Sequence, residues 1–186
     1  MTPRIPESIE SPRLRLRRFR EDDWRPLLAY YGDAAAVTYT YVQPCDEAQT
    51  RHIVDSFIRH WQRLGYGPYV IEEKVDGEVV GVAGLWFPRG WPETEIKWAL
   101  APRHWGKGYA SEAVRAVQAM TAQRLPGMCP ISLIDARNEG SIRVAVAVGA
   151  VLEATIEFKG VPHRVFRHPL PCGEDGRSIG ARREEG

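Results

Sequence analysis

The sequence predicts a single α/β domain whose sheet is mixed and partly antiparallel, with helices on its flanks. Two observations carry this. Apolar residues recur with a helical period in some segments and alternate with a period of two in others, in the order strand, two helices, three strands, helix, strand, helix, two strands. The 186 residues, 44% hydrophobic and 26% charged, have the usage of a chain that buries one core, and neither an internal repeat nor a linker divides them.

The first strand begins where Leu14, Leu16 and Phe19 interleave with Arg13, Arg15, Arg17, Arg18 and Arg20, a pattern that suits one apolar and one solvated face. Glu21, Asp22 and Asp23 then supply the negative charge that favours a helix start. The helix carries Leu27, Leu28 and Tyr31 and ends near Gly32. Asp46 opens a longer helix on which Ile53, Phe57, Trp61 and Leu64 share a face, and Gly65 closes it. Strands follow over Tyr69 to Val75 and Glu78 to Phe87, joined by a hairpin turn at Asp76-Gly77. Pro88 to Pro92 reads as a loop and Thr94 to Leu100 as a strand. A helix is expected over Tyr109 to Arg124, a buried strand over Ile131 to Ala136, and a helix capped by Asn138 that bears Ile142, Ala145 and Val146 before Gly149. Val151 to Phe158 and His163 to His168 form the last strand pair around Lys159-Gly160. The domain is placed at 12–170, and the Gly-, Arg- and Glu-rich stretch 171–186 is read as a flexible tail.

A net charge of +1 removes the compositional reason to expect nucleic acid as a partner. The N-terminus lacks the apolar stretch of a secretion signal, and no run approaches the roughly 20 apolar residues that cross a bilayer. Cys45, Cys129 and Cys172 are widely spaced, with no Cys-x-x-Cys pair; reduced thiols in a cytoplasmic protein are expected, without a zinc site. His52 and His60 lie outside the i, i+4 spacing of a metal pair and read as surface or packing residues.

The segment richest in chemical information runs from Trp98 to Ala113, a strand leading through Trp105-Gly-Lys-Gly108 straight into a helix. Glycine lets the backbone approach a ligand, and a helix start presents unpaired N–H groups with a partial positive charge. Together they suit a phosphate cradle, with Lys107 either adding charge or standing free in solvent. The spacing matches neither the phosphate loop of nucleotide hydrolases nor a dinucleotide fingerprint.

Here the chain resembles the GNAT acetyltransferases, and within them the branch of ribosomal-protein N-terminal acetyltransferases. Their [Gln/Arg]-x-x-Gly-x-[Gly/Ala] signature corresponds to Trp105-Gly-Lys-Gly108-Tyr-Ala110, departing at its first position. Aligning from Arg103 restores a formal match but starts the helix too late. Leu14-Arg-Leu-Arg-x-Phe19, Glu95-Ile-Lys-Trp98 and Ala136-Arg-Asn138-x-x-Ser141 extend the resemblance over about Pro12 to Pro169.

The resemblance implies a mostly antiparallel central sheet with one splayed parallel strand pair, and acetyl-coenzyme A held in that gap as the acyl donor. Trp98 and Leu100 would line the pantetheine arm. Trp105, Gly106, Lys107, Gly108, Tyr109, Ala110 and Ser111 would form the pyrophosphate loop, with Asn138 and Ser141 approaching from the other strand. Glu95 is the candidate general base, its alternative being a polar residue on a strand face shared with Lys97. The helix after Asn138 lacks the tyrosine many members use as acid, so Ser141 is the substitute candidate, unless it only stabilises the first turn. The amide of Trp98 or a neighbour is a further way to polarise the carbonyl. Tyr39, Tyr41, Trp61, Trp86 and Trp91 are weighed as acceptor-pocket walls against core packing, the default. Asp135 and Arg137 read as residues that orient a strand end.

The implied acceptor is a primary amine, either a protein N-terminus or a small molecule such as an amino sugar or polyamine. No metal or membrane enters this reading, and a homodimer is compatible with it. From another class comes a coenzyme A-binding sensor without turnover.

Overall fold

The computed structural model describes residues 5–41 and 43–170. Eight strands, β1 (Ser8–Glu10), β2 (Leu14–Arg17), β3 (Pro68–Glu73), β4 (Val79–Trp86), β5 (Glu95–Leu100), β6 (Ile131–Asp135), β7 (Val151–Phe158) and β8 (Val161–Arg167), make one sheet in the order β1-β2-β3-β4-β5-β6-β8-β7. The helices are α1 (Trp24–Tyr31), α2 (Ala34–Val37), α3 (Glu47–Leu64), α4 (Tyr109–Arg124) and α5 (Glu139–Ala147). Every strand pair is antiparallel except β5 with β6.

Period-two sequence in the central strands produces two apolar faces. Tyr69, Ile71, Leu85 and Ile96 face Val114 and Val117 of α4, whereas Val70, Val82 and Ala99 face Leu27 of α1 and Val54 and Phe57 of α3. Phe57 is fully enclosed, so truncation to Ala there is expected to cost about 3–5 kcal/mol. A reciprocal cap starts α3: Asp46 accepts from the Gln49 N–H at 2.8 Å and Gln49 accepts from the Asp46 N–H at 2.9 Å.

Three members of the arginine run, Arg13, Arg15 and Arg17, are held by acids at contact distance, whereas Arg18 lies over the Trp61 ring. Arg17 reaches Asp23 at 2.8 Å and Glu72 at 2.6 Å, and Arg13 reaches Glu112 at 2.7 Å. Arg13 and Arg15 are exposed, as a solvated strand face requires, but Arg17 is largely enclosed by its two acids.

Several features lay outside the expectation. β1 and α2 were not anticipated; each is too short to show a period, and α2 is announced only by Asp33, which accepts from the Ala36 N–H at 2.8 Å. Val146 was placed on the apolar face of its helix but is 61% exposed, because Ala145 and Ile142 already define the buried stripe. Cys129 is disulfide-bonded, correcting the expectation of reduced thiols, while Cys45 is free and buried. Wide sequence spacing argues against a zinc motif but does not limit which cysteines the fold brings together. The expected tail, 171–186, falls outside the described residues. No helix among the described residues is long and apolar enough to cross a membrane.

Candidate active site

Where β5 and β6 run side by side, the parallel ladder holds at one point only, Glu95 with Ile131, where the Ile131 N–H donates to the Thr94 carbonyl at 3.0 Å. In an unbroken ladder the next bond would join the Leu133 N–H to the Ile96 carbonyl. The strands diverge instead, and side chains take both partners. Ser132 Oγ donates to the Ile96 carbonyl at 2.6 Å, and Glu95 Oε2 accepts from the Leu133 N–H at 3.3 Å.

The divergence exposes backbone. Ala101 bonds back to Val80 of β4, so alternation turns Ile96, Trp98 and Leu100 toward the gap. The Ile96 carbonyl is taken by Ser132, and the Leu100 carbonyl by the indole Nε1 of Trp105 at 2.8 Å. Trp98 keeps both its N–H and its C=O facing the gap, a free donor and a free acceptor for an extended ligand.

Ser132 is itself held by a buried relay. Gln118 Nε2 donates to the Val148 carbonyl at 3.1 Å and to His168 Nδ1 at 2.9 Å. Since that nitrogen accepts, His168 Nε2 carries the proton and donates to Ser132 Oγ at 2.8 Å. Burial holds the His168 imidazole neutral, with its pKa down to about 4. The sequence reading missed this relay; its visible signal was Ser132, a lone polar residue inside the apolar run Ile131 to Ile134.

On one side of the gap lies a cavity of about 800 Å³, lined by Trp98, Leu100, Trp105, Gly106, Gly108 and Tyr109 and, beyond them, by Ala110, Ser111, Asn138 and Ser141. Gly106 and Gly108 have φ of 75° and 79°, the left-handed region that favours glycine. A Cβ on Gly106 would meet nothing within 4 Å, so that loop face is open. Among the described residues no backbone carbonyl accepts from the amides of Gly106 through Ser111; the first such bond joins the Glu112 N–H to the Gly108 carbonyl. These unpaired donors at a helix start fit an anionic pyrophosphate. Lys107 does not line the cavity; its Nζ stands over the Tyr109 ring. The loop is anchored from outside by Arg13, which donates to the Lys107 carbonyl at 2.9 Å, by the Arg103–Glu78 ion pair and by the Tyr109 hydroxyl on Glu73.

A second cavity, about 520 Å³, adjoins the first, sharing with it Trp98, Asn138 and Ser141 as well as Tyr39 and Arg137. Tyr39, Tyr41, Trp86 and Trp91 line it; Trp86 also packs against the α1–α3 core, its ring 5.1 Å from that of Phe57, so it fits both readings. Trp61 does stay in the core, with its indole on the Pro68 carbonyl at 2.6 Å. Glu95 sits in this cavity, 7% exposed, accepting from Trp91 Nε1 at 3.0 Å. Burial pushes its carboxyl above the usual carboxylate range, against the pull of Lys97. The same burial lowers the Lys97 ammonium to about 8.

Ser141 donates its backbone N–H to Asn138 Oδ1 at 3.0 Å, so the Asn138 carbonyl is spent on capping α5 while its amide remains for a ligand. Asp135 accepts three bonds from Arg137, at 2.7 to 3.0 Å, in keeping with a fixed strand end. His60 is packed, its Nε2 accepting from the Phe87 N–H at 3.0 Å, and His52 is exposed.

Comparison with known proteins agrees with this geometry. The Acetyltransferase (GNAT) domain family matches residues 13–151. An uncharacterised protein of Bacillus subtilis (strain 168), YkkB, is 33% identical over 161 residues, covering 85% of this chain and 93% of its own. An acetyltransferase from Agrobacterium tumefaciens strain C58 superposes with a TM-score of 0.78 at 26% identity, covering 88% of this chain and 94% of that one. RimL, a ribosomal L7/L12 alpha-N-protein acetyltransferase solved in complex with coenzyme A, gives 0.73 at 23% identity, with coverage of 91% and 99%.

Proposed function

The chain belongs to the GNAT acetyltransferases, and on that premise we propose that it moves an acetyl group from acetyl-coenzyme A to a primary amine, by direct attack while both are bound. The observation that carries this is the meeting of two cavities at the broken β5–β6 ladder. One presents unpaired loop amides suited to a pyrophosphate, and the other holds a buried carboxylate.

Bound acetyl-coenzyme A supplies a thioester whose carbonyl carbon an amine can attack. The residues divide the remaining work. Trp98 and the open N–H of Leu100 line the pantetheine arm, and Gly106 to Ser111 receive the pyrophosphate, with Trp105 pinning the loop to the end of β5. Glu95 removes the proton from the incoming ammonium, directly or through water; its raised pKa brings it nearer the working pH, where a general base is most effective. The Trp98 N–H, free of the ladder, receives the charge that grows on the carbonyl oxygen in this reading. Ser141, on the wall shared by both cavities, is the donor to the departing thiolate.

Calorimetric titration with acetyl-coenzyme A, followed by thiol release against a panel of amines and N-terminal peptides, tests this reading. Micromolar binding with acceptor-dependent release is expected. Binding with no release from any amine would point to a sensor, and absence of binding would remove the cradle assignment.

A further inference from the structure

Resting on that reading, the acceptor cavity also carries information about its substrate. Five charged residues line it: Glu95, Lys97, Asp135, Arg137 and Lys159. Asp135 and Arg137 neutralise each other through their bonds. Glu95 spends its two oxygens on Trp91 and on the Leu133 N–H, both neutral donors, so cations meet its charge only through space. Lys97 and Lys159 remain, both acting electrostatically on Glu95.

Neither lysine forms an ion pair within 4 Å among the described residues. Each rests on aromatic faces instead. Lys97 Nζ lies 4.8 Å from the Phe57 ring centre and 5.4 Å from that of Trp86, and Lys159 Nζ lies 4.3 Å from that of Trp91. Such contacts hold a cation while leaving its N–H donors free for an anion. Lys97 is partly enclosed and Lys159 exposed, so one ammonium stands within the cavity and the other at its mouth.

We propose that the acceptor is a small zwitterionic amine whose anionic group seats on Lys97 and Lys159 while its ammonium faces Glu95. The cavity complements both charges, a carboxylate for the amine and two ammonium groups for the acid. A polycation such as a polyamine or an amino sugar would place like charges against Lys97 and Lys159. The α-amine of an ordinary peptide is followed by a neutral amide and would bring no anion into contact with either lysine. The aromatic walls of Tyr39, Tyr41, Trp86 and Trp91 suit an apolar or aromatic side chain on that acceptor.

The test compares twin acceptors on the unmodified enzyme: free amino acids against their amides at matched concentrations of neutral amine, and O-phosphoethanolamine against ethanolamine. An advantage of at least about tenfold in kcat/KM for the anionic twin is expected, and the two pairs distinguish carboxylate from phosphate. Lys97→Met should erase most of that advantage through KM, leaving the Kd for acetyl-coenzyme A unchanged, and Lys97→Arg should restore part of it. Equal rates for both twins, or a peptide N-terminus outpacing every zwitterion, would overturn the proposal while leaving the acetyltransferase intact. Acetyl-coenzyme A binding without thiol release from any amine would instead overturn the enzymatic reading on which it rests.

Discussion

Replacing Ser132 with alanine removes one hydroxyl from the root of the β5–β6 gap, and the structure permits the consequence to be worked out. The residue is 1% exposed, so water does not replace what is lost. Two groups become orphans, the Ile96 carbonyl that accepted from Ser132 and the His168 Nε2–H that donated to it. A buried polar group without a partner costs about 1–3 kcal/mol, which sums to roughly 2–6 kcal/mol for the pair. At about 2–4 °C per kcal/mol for a chain of this size, Tm should fall by roughly 4–24 °C. Urea unfolding followed by circular dichroism measures the first quantity and scanning calorimetry the second. Acetyl-coenzyme A affinity should weaken as well, since the freed Ile96 carbonyl no longer holds the divergence in one geometry. Placed in a His168→Ala background, Ser132→Ala should cost less than it does alone, because the histidine donor is already absent. A loss below about 1 kcal/mol with unchanged coenzyme affinity would refute the assignment of Ser132 as the group that replaces the missing ladder bond.

Other perturbations address the remaining parts of the site. Glu95→Gln is expected to lower turnover roughly 10²–10⁴-fold with little change in coenzyme affinity, and to abolish an acid limb in the pH–rate profile that lies above the ordinary carboxylate range; an unaltered profile would move the base role elsewhere. Gly108→Val forces a β-branched residue to φ of 79° and sets its Cβ 3.4 Å from Arg13 Nη2. That should weaken acetyl-coenzyme A binding about tenfold or more in a folded protein, and unchanged affinity by calorimetry would remove the cradle. His60 and His168 are both buried neutral with pKa of about 4, below the unfolded value of about 6.5. Between those values the unfolded chain binds more protons, so the stability is present above about pH 6.5 and is lost toward pH 4, by about 3 kcal/mol for each histidine. Urea midpoints at pH 7.5 and 5 measure this, and equal midpoints would contradict the buried-neutral assignment.

Legibility in the sequence followed the range of the forces involved. α4 spans Tyr109–Arg124, as its pattern predicts, because local periodicity and a glycine start suffice to define it. α3 was legible for the same reason, bounded by Asp46 and Gly65. β1 has three residues, too few to alternate, and it exists because β2 offers it an edge. The Trp105 position looked like a defect in a motif, yet its indole holds the Leu100 carbonyl, a contact defined only once the loop folds back. The cysteines misled for a related reason, since sequence spacing speaks to local metal motifs and not to bonds closed across the fold.

Glu95 shows why the catalytic and structural readings of one residue need not compete. Its Oε2 accepts from the Leu133 N–H, the donor stranded when the parallel ladder breaks, and that bond also aims the carboxylate into the acceptor cavity. Had the ladder continued, Leu133 would bond the Ile96 carbonyl, the Trp98 N–H would bond Leu133, and no backbone donor would remain for the acyl carbonyl. The divergence that frees Trp98 therefore creates the need that Glu95 fills. Glu95→Gln keeps an acceptor for only one of its two donors, Trp91 or Leu133, so a measurable loss of stability of about 1–3 kcal/mol should accompany the loss of turnover. Glu95→Asp, which keeps the charge but shortens the reach, should separate the two effects. It retains a base while failing to hold both donors, so its stability should fall with that of the Gln variant and its pH–rate profile should keep an acid limb.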